Sequence, residues 1–202
     1  MRFEASIAIT ILYATATPRL FAQAPQAVVP ALSPAQQIAS AVLPLPADLR
    51  DSATVLGYNG DGKLSTLRAG HGSMICLATN PASPRFHVAC YHKSLEPFMA
   101  RGRELRAQGV TGDKVDTVRF REARAGRLKL PRSPAMLYSL TGDKTAYDTA
   151  TNTIAKARSL FVVYMPYATS ESTGLTAKPV VGAPWVMFPG TPKAHIMFVP
   201  GM

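Results

Sequence analysis

The residue types that could support nucleophilic catalysis or metal binding are concentrated in residues 70–92. This stretch holds both cysteines of the chain, Cys76 and Cys90, and three of its four histidines. The three histidines are His71, His87 and His92. A thiolate activated by a histidine base is a nucleophile, and cysteine and histidine are the usual ligands of zinc. Any chemistry inferred from the sequence therefore depends on how these side chains are used.

The two cysteines are predicted to form a disulfide bond, because the N-terminal residues described below predict export and exported proteins fold in an oxidising compartment. The two cysteines are 14 residues apart, and closing a loop of that length stabilises a domain by about 3 kcal/mol. Two alternatives stay open: a free thiol activated by a nearby histidine, and a zinc site that adds His87 and His92. The chain has no local signature of a cysteine hydrolase, and the Cys90-x-His92 spacing is tighter than zinc ligands usually have. No glycine-rich phosphate loop is present either, so we expect neither a metal nor a cofactor.

A candidate polar site consists of His71, His92 and His195. His195 lies in an apolar segment, where a histidine is more often hydrogen-bonded to the backbone than used as a base. Ser73 is not part of a Gly-x-Ser-x-Gly elbow, because position 75 is isoleucine. The histidines thus support a hydrolase of unrecognised type as the alternative to a non-catalytic protein. Convergence of their rings with a carboxylate in one cleft would favour the enzyme.

Basic residues outnumber acidic ones, and the formal net charge is +10. Residues 101–132 contain ten basic and four acidic residues, and Arg101, Arg103 and Arg106 lie within two turns of a predicted helix. Such a balance favours an anionic partner, either an anionic envelope component or a small ligand. A solvated helix face would account for the same residues. Nucleic acid is not an expected partner, because Phe120 is the one aromatic residue in this run and a stacking platform is missing.

Residues 1–24 have the composition of a secretory signal peptide. Arg2 precedes an apolar stretch, and Ala22-Gln23-Ala24 has the small-x-small form of a cleavage site. The apolar stretch is shorter than the ~20 residues that a transmembrane helix needs. We expect a secreted or periplasmic protein with no transmembrane segment after cleavage, and a retained N-terminal anchor is the alternative.

Residues 25–52 are predicted to form a linker and a short helix that begins at the Ser33-Pro34 pair and stops before Pro44. Residues 53–58 and 63–68 look like two strands, and Asn59-Gly60-Asp61-Gly62 between them has the residues that a tight turn requires. This pattern predicts a hairpin. A calcium loop would need acidic residues at both ends of this turn, where Gly57 and Arg68 stand. Two further strands are predicted at residues 74–78 and 86–91.

The second half of the chain is predicted to begin with a helix that Ser94 caps and that runs to Gln108. A second helix is predicted with Asp113 as its cap, and a strand that contains Thr117, Val118 and Phe120 is the alternative. Strands follow at residues 135–140 and 159–164. Residues 184–188 and 195–199 are apolar on both faces, which is typical of central strands. They predict a central hairpin that buries four side chains. These are Trp185, Met187, His195 and Met197.

These elements predict a single α+β domain over residues 53–202. Its mostly antiparallel sheet would carry one disulfide and one or two packed helices. At 47% hydrophobic residues the chain can bury one ordinary core.

Several short runs together resemble a group of uncharacterised exported bacterial proteins to which no activity is assigned. The runs are Ala53-Thr54-Val55, Leu67-Arg68-x-Gly70, Ile75-Cys76-Leu77, Tyr164-x-Pro166-x-Ala168-Thr169, Pro184-Trp185-Val186-Met187 and Gly190-Thr191-Pro192-x-Ala194-His195-Ile196-Met197. The resemblance implies export and a single domain, and it implies no mechanism. Our expectation is a non-catalytic binding or envelope-associated protein.

Overall fold

An eight-stranded β-sheet forms the centre of the structure, a computed structural model that describes residues 31–200. The strands are β1 (Thr54–Tyr58), β2 (Leu64–Arg68), β3 (Met74–Leu77), β4 (Arg85–His92), β5 (Ala135–Asp143), β6 (Tyr147–Asp148), β7 (Thr153–Ile154), β8 (Arg158–Tyr164), β9 (Trp185–Met187) and β10 (His195–Phe198). The helices are α1 (Pro34–Ala41), α2 (Ala47–Arg50), α3 (Glu96–Ala107), α4 (Asp113–Arg124) and α5 (Ser170–Thr173).

The strand order in the sheet is β2-β1-β3-β4-β5-β8-β10-β9. All neighbouring pairs are antiparallel except β1 and β3, which run parallel. Strands β6 and β7 form a separate two-stranded arm after β5. The predicted fold class is confirmed: one α+β domain with a mostly antiparallel sheet, few helices and one disulfide.

The disulfide joins neighbouring strands in the middle of this sheet. Cys76 of β3 lies directly opposite Cys90 of β4, with the two Cα atoms 4.0 Å apart, and both residues are buried. The predicted bond between the two cysteines is confirmed. Because both sulfur atoms are bonded in the disulfide, neither cysteine has a thiol that could act as a nucleophile or bind zinc.

Helix α1 begins where the sequence predicts. The Gln36 backbone N–H donates to Ser33 Oγ (3.3 Å), and the Ser33 N–H donates to Gln36 Oε1 (2.9 Å), which completes a capping box. Ala41, Val42 and Leu45 are buried in one cluster with the disulfide. The N-terminal helix is therefore part of the packed core.

Helix α3 covers the opposite face of the sheet. Because successive strand residues point to opposite faces, Cys90 packs beneath α1 while Tyr91 packs in a second cluster with Leu95 and Met99. The prediction that Ser94 caps this helix is wrong. Residues 93–95 form a 3₁₀ turn, and the His92 ring caps it by accepting from the Ser94 backbone N–H (3.2 Å).

The second predicted helix forms as α4, but the prediction that Asp113 caps it is wrong. The helix begins at Asp113 itself, no side chain caps it, and Gly112 precedes it with a positive φ of 58°. It packs on α3 through the Arg119 guanidinium, whose carbon lies 3.9 Å from the centre of the Phe98 ring. Arg119 and Phe98 are both buried.

The C-terminal hairpin forms, but its predicted central position is wrong. Strand β9 is the edge strand of the sheet, and β10 separates it from β8. Trp185 and His195 are buried, whereas Met187 and Met197 remain partly exposed. The free edge of β9 is met by the loop before it, because the Val186 backbone N–H donates to Thr176 O at 2.9 Å.

None of the helices within residues 31–200 has the length and apolar character needed to span a membrane. The predicted signal peptide and cleavage point lie outside these described residues.

Candidate functional site

A cavity of about 830 Å³ lies at one end of the sheet, between the start of α1, the β1–β2 hairpin, the β3–β4 loop and the segment after β5. Side chains that define its walls are Leu32, Gln37, Leu67, Phe86, Lys144 and Tyr147. We call this space the α1 cavity. Its volume is in the range of sites that enclose a small organic molecule.

The first wall is held by the buried Gln37 amide. Its Nε2 donates to Leu32 O (3.1 Å) and Tyr58 O (3.0 Å), while its Oε1 accepts from the Tyr58 backbone N–H (2.7 Å). This clamp joins α1 to β1 at close range. A Cβ at Gly57 would lie 2.3 Å from Leu67 Cδ1 and 2.7 Å from Gln37 Oε1, so a larger residue there would displace the Leu67 side chain and the Gln37 amide.

The opposite wall is an aromatic stack tied to α1. The Phe86 and Tyr147 rings stack with centres 4.9 Å apart. The Tyr147 hydroxyl donates to Asn152 Oδ1 (2.8 Å), and Asn152 Nδ2 donates to Ala39 O (3.2 Å). Burial raises the pKa of the Tyr147 phenol, which therefore stays neutral. Hydrogen bonds thus brace both walls before any ligand arrives.

Lys144 is the one charged side chain among the described residues that line the α1 cavity. Its Nζ donates to Pro81 O (2.7 Å) and Ser83 O (3.3 Å) on the β3–β4 loop. No carboxylate within residues 31–200 lies in salt-bridge distance of this ammonium group. The cavity therefore combines apolar walls with one cation at its polar side.

The candidate histidines do not line this cavity and do not share one cleft. His71 is exposed on the loop before β3, and the His92 Nδ1 lies 2.8 Å from Ser94 Oγ. His92 and His195 are on strands separated by three strand spacings, or about 14 Å. Across residues 31–200, no carboxylate is hydrogen-bonded to any of the three rings.

His195 is buried among aromatic rings. Its ring centre lies 4.9 Å from that of Tyr164 and 5.7 Å from that of Phe188. The Nδ1 atom is 2.7 Å from the Lys193 carbonyl oxygen, which assigns the proton to Nδ1. Burial lowers the pKa of His195, so the ring stays neutral near pH 7. This is the structural, backbone-bonded environment that its apolar segment indicates.

Two of the three candidate arginines are held in ion pairs. Arg101 bonds both carboxylate oxygens of Glu122 (2.9 and 2.8 Å) and also Glu104 (3.1 Å). Arg103 donates to Glu96 (2.6 Å) and to the Tyr91 hydroxyl (2.9 Å).

The third candidate, Arg106, donates to the Gly102 carbonyl oxygen (3.1 Å) of its own helix. A further group of exposed cations outside ion pairs lies on α4 and the segment that follows it. They are Lys114, Arg121, Arg124, Arg127, Lys129 and Arg132.

The α1 cavity was missed by reasoning from the sequence. Its lining residues come from several separate segments, and no pair of them has a diagnostic spacing. The one available signal is the long Thr/Asp-rich connection between β5 and β8, which contains Lys144 and Tyr147 and folds back over the sheet as the β6–β7 arm.

Comparison with known proteins identifies no relative: no protein-family model, no curated protein and no solved structure matches the chain.

Proposed function

We propose that this protein is a non-catalytic, exported binding protein that takes one small, largely apolar molecule in the α1 cavity. The observation that carries the proposal is a cavity of about 830 Å³ with two walls already braced by hydrogen bonds. A site whose walls are fixed in advance loses little conformational freedom on binding, which favours affinity.

The positions of the histidines weigh toward binding rather than hydrolysis. A hydrolase that uses His71, His92 or His195 needs a base held by a second polar group next to a substrate cleft. His195 is buried, His71 is exposed on a loop, and neither of these two nor His92 lines the α1 cavity. The hydrolase remains the less supported alternative.

Filling the cavity tests the proposal. Leu32→Trp places an indole in the α1 cavity, and Val181→Trp adds the same group at a position that is 94% exposed on a distant loop. The neutral fluorophore 1-aminoanthracene serves as the probe, with binding followed by fluorescence titration.

We expect saturable binding by the wild type and by Val181→Trp, and a Kd raised by about tenfold or more in Leu32→Trp, because the added ring occupies the ligand's space. Circular dichroism establishes that each variant is folded. No saturable binding by the wild type, or equal binding by all three proteins, would contradict the proposal.

Envelope association is a second candidate function, and the exposed cations on α4 support it. On a helical projection, Lys114, Arg121 and Arg124 lie within one stripe opposite the buried Arg119. Exposed cations without counter-ions attract anionic surfaces over about a Debye length. The proposed attachment surface is therefore this stripe rather than Arg101, Arg103 and Arg106, the residues that the sequence favours.

A further inference from the structure

We propose that the ligand of the α1 cavity is an amphipathic acid, with an apolar body and one anionic head group that pairs with Lys144. This inference rests on the proposed function, because it names the chemical class that the same cavity accepts. It begins from the charges of the lining residues. Lys144 is the one cation among those described, and no aspartate or glutamate is present in that set.

The Lys144 ammonium group is held in place by two hydrogen bonds, and one of its N–H donors has no acceptor among the described residues. It carries three N–H donors, and two of them are directed to Pro81 O (2.7 Å) and Ser83 O (3.3 Å). Both acceptors are neutral carbonyl groups, so within residues 31–200 the positive charge has no paired anion. Two carbonyl bonds fix the nitrogen, and the third donor is available to a ligand carboxylate.

Three of the neutral polar side chains in the lining are committed to the protein. Gln37 uses its amide on Leu32 and Tyr58, and the Tyr147 hydroxyl donates to Asn152. Thr79 Oγ1 donates to His87 O and accepts from the His87 N–H, each at 3.2 Å.

The neutral side chains of Gln36, Asn59 and Thr149 also line the cavity, and Lys144 is the one charged contact that the described lining offers a ligand. Leu32, Leu67 and Phe86 offer apolar contact. One cation beside an apolar space fits a molecule with a single acid group at one end of a hydrocarbon or aromatic body. A charge-assisted hydrogen bond to a carboxylate is stronger than one to a neutral amide.

A matched pair of ligands tests the inference. Decanoic acid and decanamide share the same hydrocarbon chain and differ in the charge of the head group at pH 7. Each is titrated below its micellar concentration into the wild type, Lys144→Met and Lys129→Met, with binding measured by calorimetry. Lys129→Met removes the same charge from an exposed position outside the cavity, and 1-aminoanthracene reports whether the cavity is intact in each protein.

We expect the wild type and Lys129→Met to bind decanoate about tenfold more tightly than decanamide. Lys144→Met should lose this preference while retaining its affinity for decanamide and 1-aminoanthracene, which also shows that the variant is folded. Lys144→Arg should restore the preference at least in part.

The failure of the inference is distinguishable from the failure of the proposed function. Equal affinity of the wild type for the acid and the amide overturns the inference, and so does a preference that persists in Lys144→Met. Binding of 1-aminoanthracene without binding of decanoate also overturns it, and in each of these cases the binding function stands. If neither the two ligands nor 1-aminoanthracene binds, the proposed function itself is wrong.

Discussion

Arg119 is a buried cation held by contacts from three directions. Its Nη1 donates to Phe98 O (3.1 Å), its guanidinium lies over the Phe98 ring, and its Nη2 is paired with Asp116. Asp116 also accepts from Lys193 Nζ (2.7 Å), which lies in the turn before β10. One carboxylate therefore joins α4 to the C-terminal hairpin and provides the counter-charge for Arg119.

Removing this carboxylate is expected to destabilise the fold in a pH-dependent way. Burial alone would raise the pKa of Asp116, but hydrogen bonds from Lys193 and Arg119 outweigh it and lower the pKa below its usual value. A lowered pKa in the folded state contributes stability above the unfolded pKa of ~3.9, and this contribution is lost as the pH falls through the folded pKa. Asp116→Asn should therefore cost about 3 kcal/mol at pH 7 and less at pH 3.

Urea unfolding of the wild type and of Asp116→Asn at both pH values measures this difference. Asp51→Asn is the control, because Asp51 is exposed and should cost no more than about 0.5 kcal/mol at either pH. A loss that is the same at pH 7 and pH 3 would show that the charge of Asp116 does not matter.

At the scale of elements, the C-terminal hairpin shows how an edge strand can be buried. Strand β9 pairs with β10 on one side only, yet Trp185 is just 6% exposed and Val186 is fully buried. The Trp185 Nε1 donor has no hydrogen-bond partner within the described part of the chain. The tryptophan therefore stabilises the hairpin through its apolar surface rather than through its N–H group.

Two substitutions at Trp185 separate these contributions. Trp185→Phe should change the free energy of unfolding by less than about 1.5 kcal/mol, because it keeps an aromatic ring and loses no hydrogen bond. Trp185→Ala should cost about 3–5 kcal/mol, as aromatic truncations in a core do.

Urea unfolding measures the stability of both variants, and an unchanged m-value shows that the difference in midpoint reports stability. An alanine variant as stable as the wild type would mean that the hairpin packs more loosely than the structure indicates. A phenylalanine variant as unstable as the alanine variant would mean that the indole N–H is needed.

At the scale of the whole molecule, ion pairs decide where the excess positive charge is displayed. Arg101 and Arg103 use their charge within the protein, with Glu122, Glu104 and Glu96. The exposed side of α4 also carries cations, and none of the described carboxylates forms an ion pair with them. Positive charge is thus concentrated on α4 and the segment after it, in addition to scattered exposed cations such as Lys156 and Lys178.

Changing Lys114, Arg121 and Arg124 together to glutamine should weaken adsorption to vesicles that contain an anionic phospholipid. The same change at Lys63, Lys156 and Lys178 removes an equal charge from scattered exposed sites and is the control. Cosedimentation at two salt concentrations measures the effect. Binding by the wild type should fall steeply as salt rises, because the Debye length is ~10 Å at 0.1 M and shortens from there. Equal adsorption by the two triple variants would mean that no particular face attaches the protein.

Features encoded within a short stretch of chain could be predicted from the sequence alone. Ser33-Pro34 specifies the start of α1, and Asn59-Gly60-Asp61-Gly62 specifies the β1–β2 turn, because capping and tight turns depend on a few adjacent residues. The disulfide was also predictable, because a chain with two cysteines allows one internal pairing. Turn residues and short apolar runs identified the strands, and hence the α+β class.

The order of the strands and the α1 cavity were decided by the tertiary structure. Apolarity on both faces shows that β9 and β10 are covered, but it does not show whether another strand or a loop covers them, so the edge position of β9 was not predictable. Ion pairs such as Arg101 with Glu122 depend on how two helices pack, which the charge pattern of each helix leaves open. The cavity brings Leu32, Phe86 and Lys144 together from distant parts of the chain. Such a site arises where packed elements fail to meet, and that is a property of their three-dimensional arrangement rather than of any local run of residues.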